Sequence, residues 1–567
     1  MPYKKTEPKD DMTKKSNLLL KEKDKEIVDH ILEKLEHFKE QSQEIRNTWG
    51  ECYDAYTATI DNDDNPYVSN LFLPKTHSGV ELLTAFLAGK TQVVRAKPAG
   101  PGDAKKALPI QRLLSYQWQK VLRARDKVVT WVKQSVLFGT AFMKVGWIDE
   151  KDKKYDDPFI EVADVNEIYL DYFIKDIQEQ ECVIHEIKTT KERIKNNALY
   201  KTSENIELLE QQVIDNPNFD DNSNYNENNV ILYEYWSKDK IYAIAQGPQG
   251  YVLLRNEENP YGFIPFVKLI YKTSPLNNRV YGIGAVEPSL NIQDAYNKVV
   301  NQMFDNITLV NNPMWVVRRG ANVNPQDLVA KGGGMITVSD VNADVRQFPP
   351  QDIKQSIELL RNLLDNEFQQ ASGAINLLRS MGDSGTATEA ALEQQNAMSA
   401  ITIVQENIRE ALSELGQMLV KVNQENMTTN KTIKLMEMGD SDIWKEVTPD
   451  EIDGKFDVDI DVDTTTTANR YLMAKYLLQF LGIVSQNPEA IQKYDLIKLY
   501  DKWMEFIGMN DVDELKRQAL PMMNQPQAGG GQMPIANQQP ENVGPLAETM
   551  GVNQETVGAN QPPNISI

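Results

Sequence analysis

Apolar residues recur at spacings of three and four along the middle of the chain, and this pattern defines its helices first. From Gly284, a helix opening with Pro288 carries Leu290, Ile292, Tyr296, Val299, Val300, Met303, Phe304 and Ile307 on one face. It ends at Asn311-Asn312-Pro313. Two short β-branched runs follow, Met314 to Val317 and Met335 to Val338, separated by Pro325 and Gly332-Gly333-Gly334, and they predict a small β unit before Pro349-Pro350. A return helix from about Asp352 to Gln370 places Ile353, Ile357, Leu360, Leu364 and Phe368 on one side, so the two helices can pair antiparallel. Beyond Ser372-Gly373, a loop bearing Gly382, Asp383, Ser384 and Gly385 leads into Thr386-Ala387-Thr388-Glu389. Thr386 as N-cap and Glu389 three residues on form a capping box, and the helix it opens keeps its apolar spacing from Met398 to Val422. Running to about Met427, that helix is roughly 60 Å long.

The flanking regions read as mixed. Lys21 to Trp49 is a polar amphipathic helix with Ile27, Ile31, Leu35 and Phe38 on one face. Helices are predicted over Ile110 to Arg123 and Lys127 to Leu137, after which the period changes to two at Ala141 to Ile148. Further strands are predicted at Phe159 to Val165, Glu167 to Tyr172, Val183 to Lys188, Val230 to Trp236, Lys240 to Gln246, Tyr251 to Leu254 and Val267 to Tyr271. Beyond the long helix come a strand at Thr432 to Met438 and the strict alternation of Asp457 to Asp463, a half-buried strand with an acidic outer face. Helices then bear Tyr471, Leu472, Tyr476, Leu477 and Phe480, then Ile497, Trp503 and Phe506. The fold class is α+β.

The order of outgoing helix, small β module, return helix, glycine-bearing loop and long helix opening with Thr-Ala-Thr-Glu resembles the portal proteins of tailed bacteriophages. The likeness covers about four fifths of the chain and rests on the order of elements. It implies a mixed α/β wing (1–283), a stem helix (284–310), a β-containing clip (311–348), a second stem helix (349–372) and a tunnel loop (373–385). The long helix and wing strands (386–466), a helical crown (467–520) and a disordered C-terminal tail (521–567) complete the chain. It also implies a homo-oligomeric ring of about twelve copies at one capsid vertex, through which double-stranded DNA is packaged and ejected. Partners would be the terminase, which would hydrolyse the ATP, the head-tail adaptor and tail proteins, and the major capsid or scaffolding protein. The protein would be assembled in the host cytoplasm and end in the virion. In the tunnel loop, Arg379, Ser380, Met381, Asp383 and Ser384 would meet DNA, and Arg379 is its only charged residue apart from Asp383. Pairing of Arg379 with an acid on a neighbouring subunit is an equal alternative. In the clip, Trp315, Arg318 and Arg319 are candidate partner contacts, because Trp and Arg are favoured in interface cores; packing inside the clip explains Trp315 equally well. Another virion structural protein, a tail or adaptor ring component, stays open.

Composition narrows the chemistry. At 567 residues several domains are expected. Two cysteines, Cys52 and Cys182, exclude a disulfide framework and read as buried thiols. No apolar run approaches the roughly 20 residues needed to span a bilayer, and Leu18-Leu19-Leu20 is too short for a signal peptide, so a soluble protein without a membrane anchor is expected. A net charge of −22 argues against a tight binder of phosphate backbone, yet suits a conduit along which DNA must slide. Gly89-Lys90-Thr91 ends like a phosphate-binding loop, but Thr84 stands where its first glycine belongs and a helix precedes it instead of a strand. Asp61 to Phe72 and Asp457 to Ala468 lack the glycine and the closing Glu of a calcium loop. The four histidines form no ligand pair at useful spacing, and Gly282-Ile283-Gly284 lacks the rest of a dinucleotide fingerprint. No cofactor and no catalysis are expected. Ser203 to Asn229 holds seven acidic residues and no basic one, and the tail from Pro521 to Ile567 is rich in Gln, Asn, Pro and Gly; neither can build a core.

Overall fold

The computed structural model describes residues 16–17, 19–59, 69–89, 92–150, 155–197, 199–200, 203–209, 229–247, 250–276, 279–311, 315–320, 340, 345–347, 355–372, 387–428, 430–438, 441–462, 467–486, 496, 499–500 and 503–504. The segments read as tunnel loop and tail lie outside the described residues, as do residues 210–228 of the acidic insertion and Met335 to Val338. The chain divides into two units, residues 1–464 and 465–567. In the second, α10 (Thr467–Gln486) is the main described element.

Helix α1 (Glu22–Thr57) links two cores of the first unit. Its first half buries Val28, Ile31, Leu35 and Phe38 in the core of an antiparallel sheet ordered β4 (Ile168–Tyr169), β5 (Val183–Thr190), β6 (Asn229–Trp236), β7 (Lys240–Gly247) and β8 (Gly250–Glu258). Val28 takes the buried place that the spacing suggested for Ile27, which sits at the margin. The second half buries Ile45, Trp49 and Cys52 in a larger core with α2 (Lys75–Ala88), α3 (Ala107–Tyr116) and α4 (Ala124–Phe138). A three-stranded sheet closes that core, with β2 (Thr140–Glu150) between β3 (Tyr155–Ala163) and β9 (Phe266–Ile270). The helix predicted to reach Arg123 instead widens into a π turn at Gln117–Val121. Gln117 and Asn423 exchange amide hydrogen bonds there, at 2.7 and 3.0 Å, and Arg123 takes a left-handed conformation (φ 47°) before α4 begins.

The two sheets meet across a buried ion pair. Lys144 of β2 donates to Glu234 of β6, whose carboxylate also accepts from Tyr200 Oη (2.8 Å) and Trp236 Nε1 (2.9 Å). Burial pushes the Glu234 carboxyl up, but the charge of Lys144 and the hydrogen bonds from Lys144 and Trp236 outweigh it and hold the group down at about 2. Beside it, burial drives the His185 imidazole down to about 3, so that ring is neutral.

The long helix α8 (Ala387–Asn426) packs on β9, β2 and a ribbon of β1 (Gln92–Pro98) with β14 (Phe456–Val462). In β14, Val458 and Ile460 are buried while Asp457 and Asp459 are exposed, the alternation the sequence predicts. Gly416 permits the close approach: a Cβ there would lie 2.6 Å from Val458 Cγ1. The strand β1 was not marked by the sequence pattern, nor was β13 (Ser441–Val447), which pairs with β12 (Lys431–Met438). Gly282 and Gly284 also acquire a physical role. A Cβ on Gly282 would meet Gly139 O at 2.5 Å and one on Gly284 would meet Leu137 O at 2.7 Å, while Gly139 itself holds φ +83°. These glycines let three backbone segments touch where the body of the chain turns toward α6.

Candidate stem and clip assembly

Past the glycine contact, α6 (Leu290–Asn311) leaves the body and α7 (Gln355–Ser372) packs against it. Its sequence places two stripes on the cylinder. One holds Tyr296, Val299 and Val300, which are buried, as is Phe368 of α7. The other holds Gln293, Asn297, Asn301 and Asp305, four residues apart and therefore one above the next.

This second stripe grips an extended segment, residues 69–73. Ser69 N donates to Asp305 Oδ1 (2.8 Å), Leu71 N to Asn301 Oδ1 (2.9 Å) and Leu73 N to Asn297 Oδ1 (3.2 Å). In return Asn301 Nδ2 donates to Leu71 O (3.1 Å) and Gln293 Nε2 to Leu73 O (2.8 Å). Two residues of extended chain advance about 6.7 Å and four of helix about 6 Å, so the repeats stay matched over three rungs. Helix side chains thus serve as a strand edge. At the start of α2, Lys75 pairs with Asp365 of α7 and lies 4.2 Å from the Tyr296 ring centroid. The base of the helix pair is fastened to the body at several points.

Toward the tip the surface changes. Phe304 (47% exposed), Ile307 and Val310 on α6, with Leu359 (63% exposed), Leu360 and Leu363 on α7, present apolar side chains outward. The pairing face predicted from the spacing therefore holds near the base, while Phe304, Ile307 and Leu360 stand open. Beyond the tip, β10 (Trp315–Val317) pairs antiparallel with β11 (Val345–Gln347), Trp315 opposite Gln347. The partner of β10 among the described residues is thus a strand that the pattern passed over. Trp315 is half-buried, and Val316, Val317, Arg318 and Arg319 are exposed.

Of the residues singled out from the sequence, the structure places Trp315 at the start of β10 and Arg318 and Arg319 just past its other end. Arg379, Ser380, Met381, Asp383, Ser384 and Thr386 lie outside the described residues, and Glu389 falls in the first turn of α8. The ladder on α6 was missed, although its signal was present as four amide or carboxylate side chains at four-residue spacing.

Downstream of the loop, α8 is held to the body by polar contacts as well. Asn407 Nδ2 donates to Ile270 O (3.2 Å) and Tyr271 O (3.3 Å), and Ser413 Oγ to Val458 O (2.6 Å). Glu414 faces Lys268 and Asp176. Burial and then the Asp176 charge push the Glu414 carboxyl up to about 7, against the pull of Lys268. Burial lowers Lys268 to about 8, and its ammonium donates to Lys175 O and to Val280 O (3.3 Å).

Among the described residues no group of His, Cys, Asp and Glu is arranged to hold a metal ion, and no helix is long and apolar enough to cross a membrane. Cys52 and Cys182 are buried and unpaired with each other. No curated protein matches the sequence. A family model, phage SU10 portal protein, matches residues 151–550, a span that takes in the second half of the body, the α6–α7 pair, the hairpin, α8 and α10. The chain belongs to the phage SU10 portal protein family.

Proposed function

We propose that the protein acts as the portal of a tailed bacteriophage: a ring of about twelve copies at a capsid vertex, with α6 and α7 lining a channel for double-stranded DNA. The observation that carries this reading is the row of outward apolar side chains at the tip of the helix pair, Phe304 and Ile307 with Leu359, Leu360 and Leu363. Large exposed apolar patches mark interaction surfaces, and identical copies packed side by side around an axis would cover this one. In this reading the hairpin with Trp315, Arg318 and Arg319 docks terminase during packaging and adaptor or tail proteins afterwards. The tunnel loop with Arg379, Ser380, Met381, Asp383 and Ser384 contacts DNA, and a single arginine touches phosphate without anchoring it. The chain itself catalyses nothing, and ATP hydrolysis belongs to the terminase. The protein resides in the virion after assembly in the host cytoplasm, in contact with the major capsid or scaffolding protein.

Native mass spectrometry beside negative-stain electron microscopy tests the assembly: rings of about twelve copies with an axial hole are expected, and filaments or six-membered rings would refute it in favour of a tail component. Deleting residues 373–385 should leave rings intact while impairing DNA packaging or retention. Normal packaging and retention by that deletion would overturn the role given to the loop.

A further inference from the structure

Residues 104–133 carry eight basic side chains and one acidic one. Several of these cations are engaged within the fold: Lys106 donates to Asp453 O, Lys133 to Glu81, and Lys127 to Ile160 O at 2.8 Å. Lys120, Arg123 and Arg125 are exposed at the corner between the π turn and α4 and have no partner among the described residues. The acidic residue, Asp126, lines a groove between α4 and β3 that none of these three cations lines. Arg123 holds φ 47°, a conformation costly to an L-residue and free to glycine, so the position keeps its long side chain against a backbone preference.

In a chain of net charge −22 acids are plentiful, but on α1 they are organised. Glu26, Asp29, Glu33, Glu36, Glu40 and Glu44 follow one another at spacings of three and four, and all are exposed. At about 100° per residue they fall within a sector roughly 80° wide, opposite the buried Ile31, Leu35 and Phe38. The lysines that flank the stripe pair elsewhere: Lys25 with Glu22 (3.0 Å), Lys34 with Glu181 (2.6 Å) and Lys39 with Glu186 (3.8 Å). Like charges three and four residues apart destabilise a helix, and a face that only needed solvation would mix its signs. A cationic partner would relieve that repulsion.

The two surfaces are separate within one copy. Trp49 Nε1 donates to Phe138 O (2.9 Å), so α1 meets the far end of α4, roughly 20 Å along that helix from Arg125. The acidic part of α1 packs in the core of the five-stranded sheet while α4 stays in the larger core, and no ion pair among the described residues joins the stripe to the corner. Each subunit thus presents two complementary patches that it does not bring together, the arrangement that a heterologous, ring-closing contact uses. We propose that the acidic stripe of α1 in one copy docks against Lys120, Arg123 and Arg125 of a second copy. The proposal rests on the ring reading and adds a charge-complementary contact between subunit bodies to the apolar one at the tip of the helix pair. Three cations beside Asp126 are a small footprint for duplex DNA, the other polyanion that could meet this corner.

Native mass spectrometry of the full-length chain reads ring yield, and thermal melts read the fold. The set K120E, R123E and R125E should lower ring yield about tenfold, as should the set D29K, E33K and E36K, because each brings like charges face to face. Combining the two sets restores complementarity with the signs exchanged and should return ring yield to within about threefold of wild type. Rings at wild-type yield from either set overturn this proposal and leave the portal reading standing, as does a combined variant that melts like wild type but assembles no better than its parents. Should a set melt low, E33C with R125C replaces it, the native Cys52 and Cys182 being buried: mild oxidation of rings should give a ladder of covalently linked subunits, and no disulfide, or only an intrachain one, overturns the proposal. A wild-type monomer at every concentration overturns both readings. Loss of duplex DNA binding on reversing the three cations, with ring yield unchanged, would assign the corner to DNA and likewise overturn it.

Discussion

Replacing Asn301 with Ala removes the central rung of the ladder that fastens residues 69–73 to α6. Its amide makes two hydrogen bonds to one residue, accepting from Leu71 N at 2.9 Å and donating to Leu71 O at 3.1 Å. A neutral hydrogen bond contributes about 1 kcal/mol net, which sets an upper figure of about 2 kcal/mol for the pair. Asn301 is buried but Leu71 is exposed, so water reaches the freed backbone groups and the loss falls to about 1–2 kcal/mol. The segment can open without unfolding the body, and the loss therefore appears as local opening. Hydrogen exchange read by mass spectrometry should show the amides of residues 69–73 exchanging roughly 5- to 30-fold faster in N301A, at 1.4 kcal/mol per tenfold. Thr308→Ala, which removes only an exposed hydroxyl bonded to Phe304 O, should leave them unchanged. N301D keeps the acceptor for Leu71 N and loses the donor, so it should fall between. If N301A lowered the melting temperature while exchange at 69–73 stayed at the wild-type rate, Asn301 would be acting through helix packing and the strap would be held by something else.

Two further outcomes follow from buried charge. Lys144→Met leaves the Glu234 carboxylate buried without its cation, and chemical denaturation should show a loss of about 3–5 kcal/mol, partly restored by adding Glu234→Gln, which removes the charge and keeps an acceptor for the Tyr200 and Trp236 donors; no rescue by the double variant would refute the pairing. Glu414 holds its proton up to about pH 7 in the folded chain but only to 4.5 when unfolded, so its contribution to stability is lost as pH rises through that window. The depressed Lys268 acts with the opposite sign between about 8 and 10.5, outside that range. Melting temperatures of wild type and E414Q taken between pH about 5 and about 8 should diverge in favour of the variant as pH rises, and parallel curves would sink the assignment.

The helices α6, α7 and α8 were legible because amphipathic spacing is a local property, written within the segment that it describes. What joins them to the body was not. Gln293, Asn297, Asn301 and Asp305 read as an ordinary solvated helix face, and nothing in residues 69–73 signals that their partners lie more than two hundred positions away. The strand β11 is Val345-Arg346-Gln347, too short and polar to stand out, and it exists because β10 supplies its hydrogen bonds. Lys144 and Glu234 each interrupt an apolar strand, a signal that a charge is buried, but the sequence does not say which charge answers which. Gly282 and Gly284 invited comparison with a nucleotide motif, whereas their role is contact with the backbone at Gly139 and Leu137.

One helix, α6, therefore answers two requirements at its two ends. At its base every fourth residue is polar and is satisfied within the chain, by residues 69–73, while Lys75 ties the neighbouring helix to α2 through Asp365. Toward its tip the residues facing outward are Phe304, Ile307 and Val310, spaced three apart along a single stripe, and α7 sets Leu359 and Leu363 outward over the same stretch. Had the helix pair evolved to stand alone, the tip would cost least with polar residues there, since each exposed leucine or phenylalanine forgoes about 1.5–3 kcal/mol that burial would contribute. The base is specified by the chain's own folding, and in the proposed ring the tip would be specified by the neighbouring copy that covers it. Alanine at Phe304 and Leu359 should accordingly leave the melting temperature of a monomer unchanged and lower the yield of rings. A matching loss of monomer stability would place those side chains in the subunit's own core, contrary to their exposure.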